Sequence, residues 1–185
     1  MGSPVRYKQH AKPDGITQTW LGTYAALTPG VEHAPNATTR LDIDNMPQPD
    51  ALLRILTECG GSSRVDGEGY LVGPPELALE ICASSQSIDL GDKLTAYRRA
   101  GIPEYLVWRT VEKKFTWLTL GKDDYHDNTP DAQGIIRSQF FPGLWLDVSA
   151  LLALNASKVL DALHLGLKSP AHKTFVARLR AAGKL

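Results

Sequence analysis

Two carboxylates on separate extended segments are the residues best suited to chemistry in this chain. Asp50 follows Pro49 at the start of one segment, and Glu80 stands inside another, Leu77-Ala78-Leu79-Glu80-Ile81-Cys82. In the second run Leu77, Leu79 and Ile81 alternate with Ala78, Glu80 and Cys82, the pattern of a strand with two distinct faces. A glutamate inside a buried strand is costly unless its charge is compensated. Placed on neighbouring strands, the two carboxylates converge into a hard-oxygen site that suits Mg²⁺ or Mn²⁺. Such an ion acidifies a nearby water and neutralises charge that builds on a phosphate. A lysine two residues beyond Glu80 would complete the set, but that position holds Cys82.

The elements that must position these groups follow from the pattern on either side. Asp89–Ala100 is the clearest helix, with Asp89 as N-cap, Leu90, Leu94 and Tyr97 as an apolar stripe, and Gly101 then Pro103 at its end. Glu104–Arg109 reads as a buried strand, and Phe115–Leu120 as its hairpin mate through Glu112-Lys113-Lys114. Ahead of the site, residues 1–14 carry little signal, and Ile16 to Leu27 predicts a helix with Ile16, Trp20, Tyr24 and Leu27 on one stripe. Thr38 to Asp44 predicts a strand with Leu41 and Ile43 on one face, and Asp50 to Leu56 a second extended segment. Arg64 to Tyr70 predicts a short hairpin around Asp66-Gly67. Residues 121–133 read as a polar loop, followed by a brief strand at Ile135-Ile136 and two amphipathic helices, Ser157–Leu167 and Pro170–Ala182. The order predicts an α/β layer with a mixed sheet.

Composition bounds the class. An apolar fraction of 43% with 22% charged residues is that of a soluble globular chain. No apolar run reaches the ~18–20 residues of a membrane span, and no signal-peptide pattern opens the chain, so no membrane partner is expected. Cys59 and Cys82 make no disulfide framework, which predicts a reducing, cytoplasmic setting. Zero formal net charge weighs against a strong nucleic-acid binder. The charge is uneven, however: six basic residues after position 148 face only Asp161, leaving +5 there and −5 before it.

Pro49-Asp50, Gly73 to Ser85 (GPPELALEICASS), Asp89 to Tyr97 (DLGDKLTAY), Gly101 to Val107 (GIPEYLV) and Phe141 to Leu146 together resemble the Uma-type restriction endonuclease family of the PD-(D/E)XK nuclease superfamily. The resemblance covers roughly residues 16–180. It implies one nuclease-type domain over 1–185, with a restriction-endonuclease-like α/β core at about 16–147: a mixed central sheet flanked by helices, with an added C-terminal helical extension at 148–185. It further implies Asp50 and Glu80 as metal ligands, joined by the backbone carbonyl of Ile81. Lys93, on the helix after the strand, takes the place of the missing strand lysine, with Tyr97 one turn beyond to steady its ammonium group. The implied activity is Mg²⁺- or Mn²⁺-dependent hydrolysis of DNA, by a homodimer where both strands are cut. Two departures stand out, Cys82 at the lysine position and a short front end, where Asp14 is left outside the site.

Each residue also has an ordinary reading. Asp50 fits a turn after proline, Glu80 an edge-strand carboxylate facing water, Lys93 a surface lysine paired with Asp89, and Tyr97 a core aromatic. Cys82 reads as a small buried thiol, and His10, His33, His126, His164 and His172 show no metal-ligand spacing. The alternative from another class is a catalytically inactive module of the same fold that binds DNA or a protein. Hydrolysis of some other phosphodiester is a third.

Overall fold

The structure, a computed structural model, describes residues 6–42, 45–82 and 89–184, with the backbone alone at 89 and 90. Helix α1 (Lys12–Ala26) follows a wide turn at Tyr7–Ala11 and leads into β1 (Val31–Pro35), β2 (Thr39–Arg40) and β3 (Ala51–Ile55). Strands β4 (Arg64–Val65) and β5 (Leu71–Val72) precede β6 (Leu77–Cys82), helix α2 (Asp89–Ala100) and β7 (Glu104–Arg109). The chain continues through β8 (Lys114–Leu120), β9 (Tyr125–Asp127), β10 (Ile135–Arg137) and β11 (Trp145–Asp147), and then α3 (Val148–Leu152), α4 (Ala156–Leu167) and α5 (Pro170–Gly183).

The central sheet has the order β1-β3-β6-β7-β8-β9. Among the described residues its one parallel pair is β6 with β7, joined by α2; the others are antiparallel. A parallel return requires a crossover, and α2 supplies it across one face. The other face packs α1, α3, α4 and α5 over Leu77, Leu79, Ile81, Leu106 and Trp108. Strands β3 and β6 are therefore covered on both sides, and every residue of β3 is buried. Glu80 is buried by the same arrangement.

Two sheet edges escape a reading by periodicity. Strand β1, Val-Glu-His-Ala-Pro, has no apolar alternation and ends in a proline, which an edge strand tolerates. Strand β9, Tyr-His-Asp, lies in the stretch read as a loop and forms the opposite edge. The short helix α3 also goes unread. Helix α1 starts four residues earlier than Ile16 and stops at Ala26, so Leu27 is 52% exposed rather than part of the buried stripe. Of the strand predicted over 38–44 only β2 forms, parallel to β5, while Ile43 and Asp44 lie outside the described residues. Ser84, Ser85 and the side chain of Asp89, expected as the N-cap of α2, lie outside them too.

The C-terminus of α2 closes as its sequence predicts. Gly101 has φ +78°, its N–H donates to the Arg98 carbonyl, and the Ile102 N–H donates to the Tyr97 carbonyl. That is a Schellman closure, which a glycine at this left-handed position permits. It fixes where Tyr97 and, one turn earlier, Lys93 meet the sheet.

Candidate active site

Ala51 pairs with Leu79 across β3 and β6, so one residue outward Asp50 stands opposite Glu80. Directly opposite residues share a face of the sheet. Here it is the face of Ala78 and Val107, beneath α2. Pro47 and Pro49 lack the N–H needed to prolong the β3 ladder, so Asp50 marks its end. Its main-chain carbonyl accepts from Asn36 N at 3.1 Å and from Gln18 Nε2 at 2.8 Å. Its carboxylate Oδ2 accepts from Ile81 N at 2.6 Å. The N–H and C=O of one strand residue turn to the same neighbour, so the Ile81 carbonyl faces the Asp50 side as well.

Glu80 is held at both oxygens from one helix. Lys93 Nζ donates to Oε2 at 2.8 Å and the Tyr97 hydroxyl to Oε1 at 2.8 Å. The four-residue spacing of Lys93 and Tyr97 puts both on one face of α2, turned to the strand. Burial pushes the Glu80 carboxyl up; the bonds from Lys93 and Tyr97 oppose this, and the charge of Asp50 adds to it. Burial likewise pushes Asp50 up, against the Ile81 N–H, His10 and Lys93, while Asp14 adds to the rise. The pair is short of positive charge in a desolvated place. The Tyr97 phenol is raised by burial and by Glu80, so it remains a donor.

Asp50, Glu80, Ile81, Lys93 and Tyr97 thus come together. One detail differs from the expectation: Tyr97 steadies the carboxylate of Glu80 and not the Lys93 ammonium. Lys93 pairs with Glu80, the two side chains 26% and 7% exposed, while the side chain of Asp89, its partner in the ordinary reading, lies outside the described residues. Cys82 stands opposite Arg109; burial raises its thiol, and the charge of Arg109 opposes that rise.

A polar front end goes unread in the sequence. His10 Nε2 lies 3.4 Å from Asp50 Oδ1. Gln18 Nε2 bridges Asp14 Oδ1 at 2.7 Å to the Asp50 carbonyl, and Gln18 Oε1 accepts from His33 Nε2 at 2.7 Å. The turn carrying His10 is tied down by Thr110 Oγ1, which donates to the Gln9 carbonyl at 2.7 Å. The helical spacing of Asp14 and Gln18 was the one available signal; His10 had none.

Among the described residues, no group of three or more His, Cys, Asp and Glu side chains is placed to hold a metal ion. The donor set is two carboxylates with a main-chain carbonyl on the same side. All are hard oxygens, and the carboxylates repel each other, which fits a divalent cation of the Mg²⁺ type.

The Uma2 family model, described as "Putative restriction endonuclease", matches residues 2–149. The chain belongs to this family. The Uma2 match spans α1 and the whole central sheet and ends inside α3. Among solved structures, the chain is similar to a "putative nuclease belonging to DUF820" from Anabaena variabilis ATCC 29413, with a TM-score of 0.63 and 12% identity. That likeness covers 84% of this chain and 86% of the other, and it shows a common fold. No curated protein matches. The mixed central sheet with flanking and C-terminal helices is therefore the fold of a nuclease-type family. No helix among the described residues is long and apolar enough to cross a membrane, and Cys59 and Cys82 are both free thiols.

Proposed function

We propose that this Uma2 chain is a divalent-metal-dependent endonuclease that hydrolyses DNA phosphodiester bonds in the cytoplasm. The observation that supports it most is the buried Glu80 carboxylate, opposite Asp50 in register and met by Lys93 from the covering helix. Asp50, Glu80 and the Ile81 carbonyl would hold Mg²⁺ or Mn²⁺. Such an ion supplies acidification of a water and neutralisation of charge on the scissile phosphate.

The chain's own groups do the remainder. Tyr97 fixes the Glu80 carboxylate through Oε1 and leaves its other oxygen to Lys93. Lys93 Nζ, anchored on Oε2, donates to a phosphate oxygen or to the attacking water placed beside Glu80. A donor preset where negative charge develops is worth about 2.7–4 kcal/mol in comparable sites. His10 and the Ile81 N–H hold Asp50 from two directions. One site per chain cuts one strand per engagement, so a homodimer is the arrangement for breaking both.

The test is nicking of supercoiled plasmid in Mg²⁺ or Mn²⁺. Wild type should nick, EDTA should stop it, and Glu80→Ala and Lys93→Ala should each lower the rate at least about 10²-fold. A wild type that binds the plasmid and never nicks it would instead favour an inactive binding module.

A further inference from the structure

The face of the sheet that carries Glu80 continues into a cleft of about 240 Å³ between α2 and strands β7 and β8. Register fixes the relation of cleft to site. Glu80 pairs with Val107 and Val107 with Thr116, so the three share one cross-strand row, and Val107 and Thr116 line the cleft. With strands ~4.8 Å apart, Thr116 lies about 10 Å from Glu80. A single nucleic-acid strand can touch both with neighbouring nucleotides.

The lining is divided by chemistry. Leu94, Val107 and Leu118 give it apolar walls. Tyr105 also lines it, with its hydroxyl sealed from solvent and without a hydrogen-bond partner among the described residues. At one end Arg109 and Lys114 pair across β7 and β8. Arg109 Nη2 donates to Thr116 Oγ1 at 2.8 Å, and its Nε lies 3.4 Å from Glu112 Oε2. Asp127, an acidic lining residue, can accept from an exocyclic amino group. The volume lies below the ~300–1,000 Å³ of pockets that enclose a whole drug-sized ligand, so it suits one ring system with its charged tail outside.

We propose that this cleft receives one unpaired base of the strand being cut, with Arg109 and Lys114 on the adjoining phosphate. The proposal rests on the nuclease reading and narrows its substrate: a stacked, paired base cannot enter, so the nucleotide is single-stranded or flipped out of its duplex.

The test uses the full chain in EDTA and reads fluorescence anisotropy of a labelled oligothymidylate against a blunt duplex of equal length. The single strand should bind at least about tenfold more tightly than the duplex, whose paired and stacked bases cannot enter the cleft. Lys114→Glu and Thr116→Tyr, the second filling the cleft, should each weaken single-strand binding about tenfold. Lys168→Glu, on the opposite side of the sheet, should leave it within about threefold. Urea unfolding curves check that the variants fold, and Lys114, being exposed, keeps the test sound if Thr116→Tyr does not. Equal or tighter duplex binding, or unchanged affinity in folded Lys114→Glu, overturns the subsite. Binding is read without a divalent ion, so a wild type that fails to nick leaves this readout standing. Intact nicking with unchanged affinity in the cleft variants sinks the subsite alone.

Discussion

At the scale of single residues, Lys93 and the proposed metal compete for one oxygen. The ammonium occupies Glu80 Oε2 at 2.8 Å, and a divalent ion bound by Glu80 must share that carboxylate with it. Lys93→Met should therefore bind Mn²⁺ at least as tightly as wild type by calorimetry, while nicking falls at least about 10²-fold. A matching loss of both would mean that Lys93 serves only to hold the site's shape. Asp50 and Glu80 were legible in the sequence because a proline placed one and strict alternation the other. The Glu80–Tyr97 bond was half legible: the helix spacing brought Tyr97 to the strand but could not say which group it would reach. His10 was not legible, since its contact with Asp50 depends on how a turn outside any periodic pattern packs against β6.

At the scale of elements, the long inner strands and α2 could be read from periodicity and capping, whereas the edges β1 and β9 could not. Edge strands are wet on one side and need no apolar run. A second buried glutamate shows how a loop is fastened to this sheet. Glu104, at the start of β7, accepts from Ser138 Oγ at 2.6 Å, Gln139 N at 2.9 Å and Phe140 N at 3.4 Å. Burial pushes its carboxyl from 4.5 up to about 6, although those bonds hold it down. The folded chain thus keeps this proton to higher pH than the unfolded chain does. The stability it contributes is full below pH 4.5 and is lost as pH rises through about 6. In Glu104→Gln that slope disappears. The difference in urea unfolding free energy between wild type and variant should change by roughly 1–2 kcal/mol across this window and level off above it. Asp50, Glu80, His33 and His172 also titrate abnormally but are common to both proteins and cancel. A difference that is flat with pH would contradict this account of Glu104.

At the scale of the molecule, the sheet divides the candidate site from the layer of C-terminal helices. One face, under α2, carries Asp50, Glu80, Lys93 and the cleft. The other packs Val159, Leu163, Phe175 and Leu179 of α4 and α5, whose basic residues give the C-terminal stretch its positive charge. The sequence showed that charge but not its side, which only the topology decides. Replacing Lys168, Lys173 and Arg180 together by alanine should leave nicking within about threefold and the salt dependence of DNA binding unchanged. Three lost phosphate contacts would instead flatten the log–log salt slope by about 2.7. Asp50 and Glu80 are proposed to hold one divalent ion between them. Calorimetric titration of Mn²⁺ into the wild type, Asp50→Asn and Glu80→Gln decides whether they do. Saturable binding of one ion is expected in the wild type, with its loss in both variants; no binding in the wild type, or full binding in either variant, would rule the shared ion out.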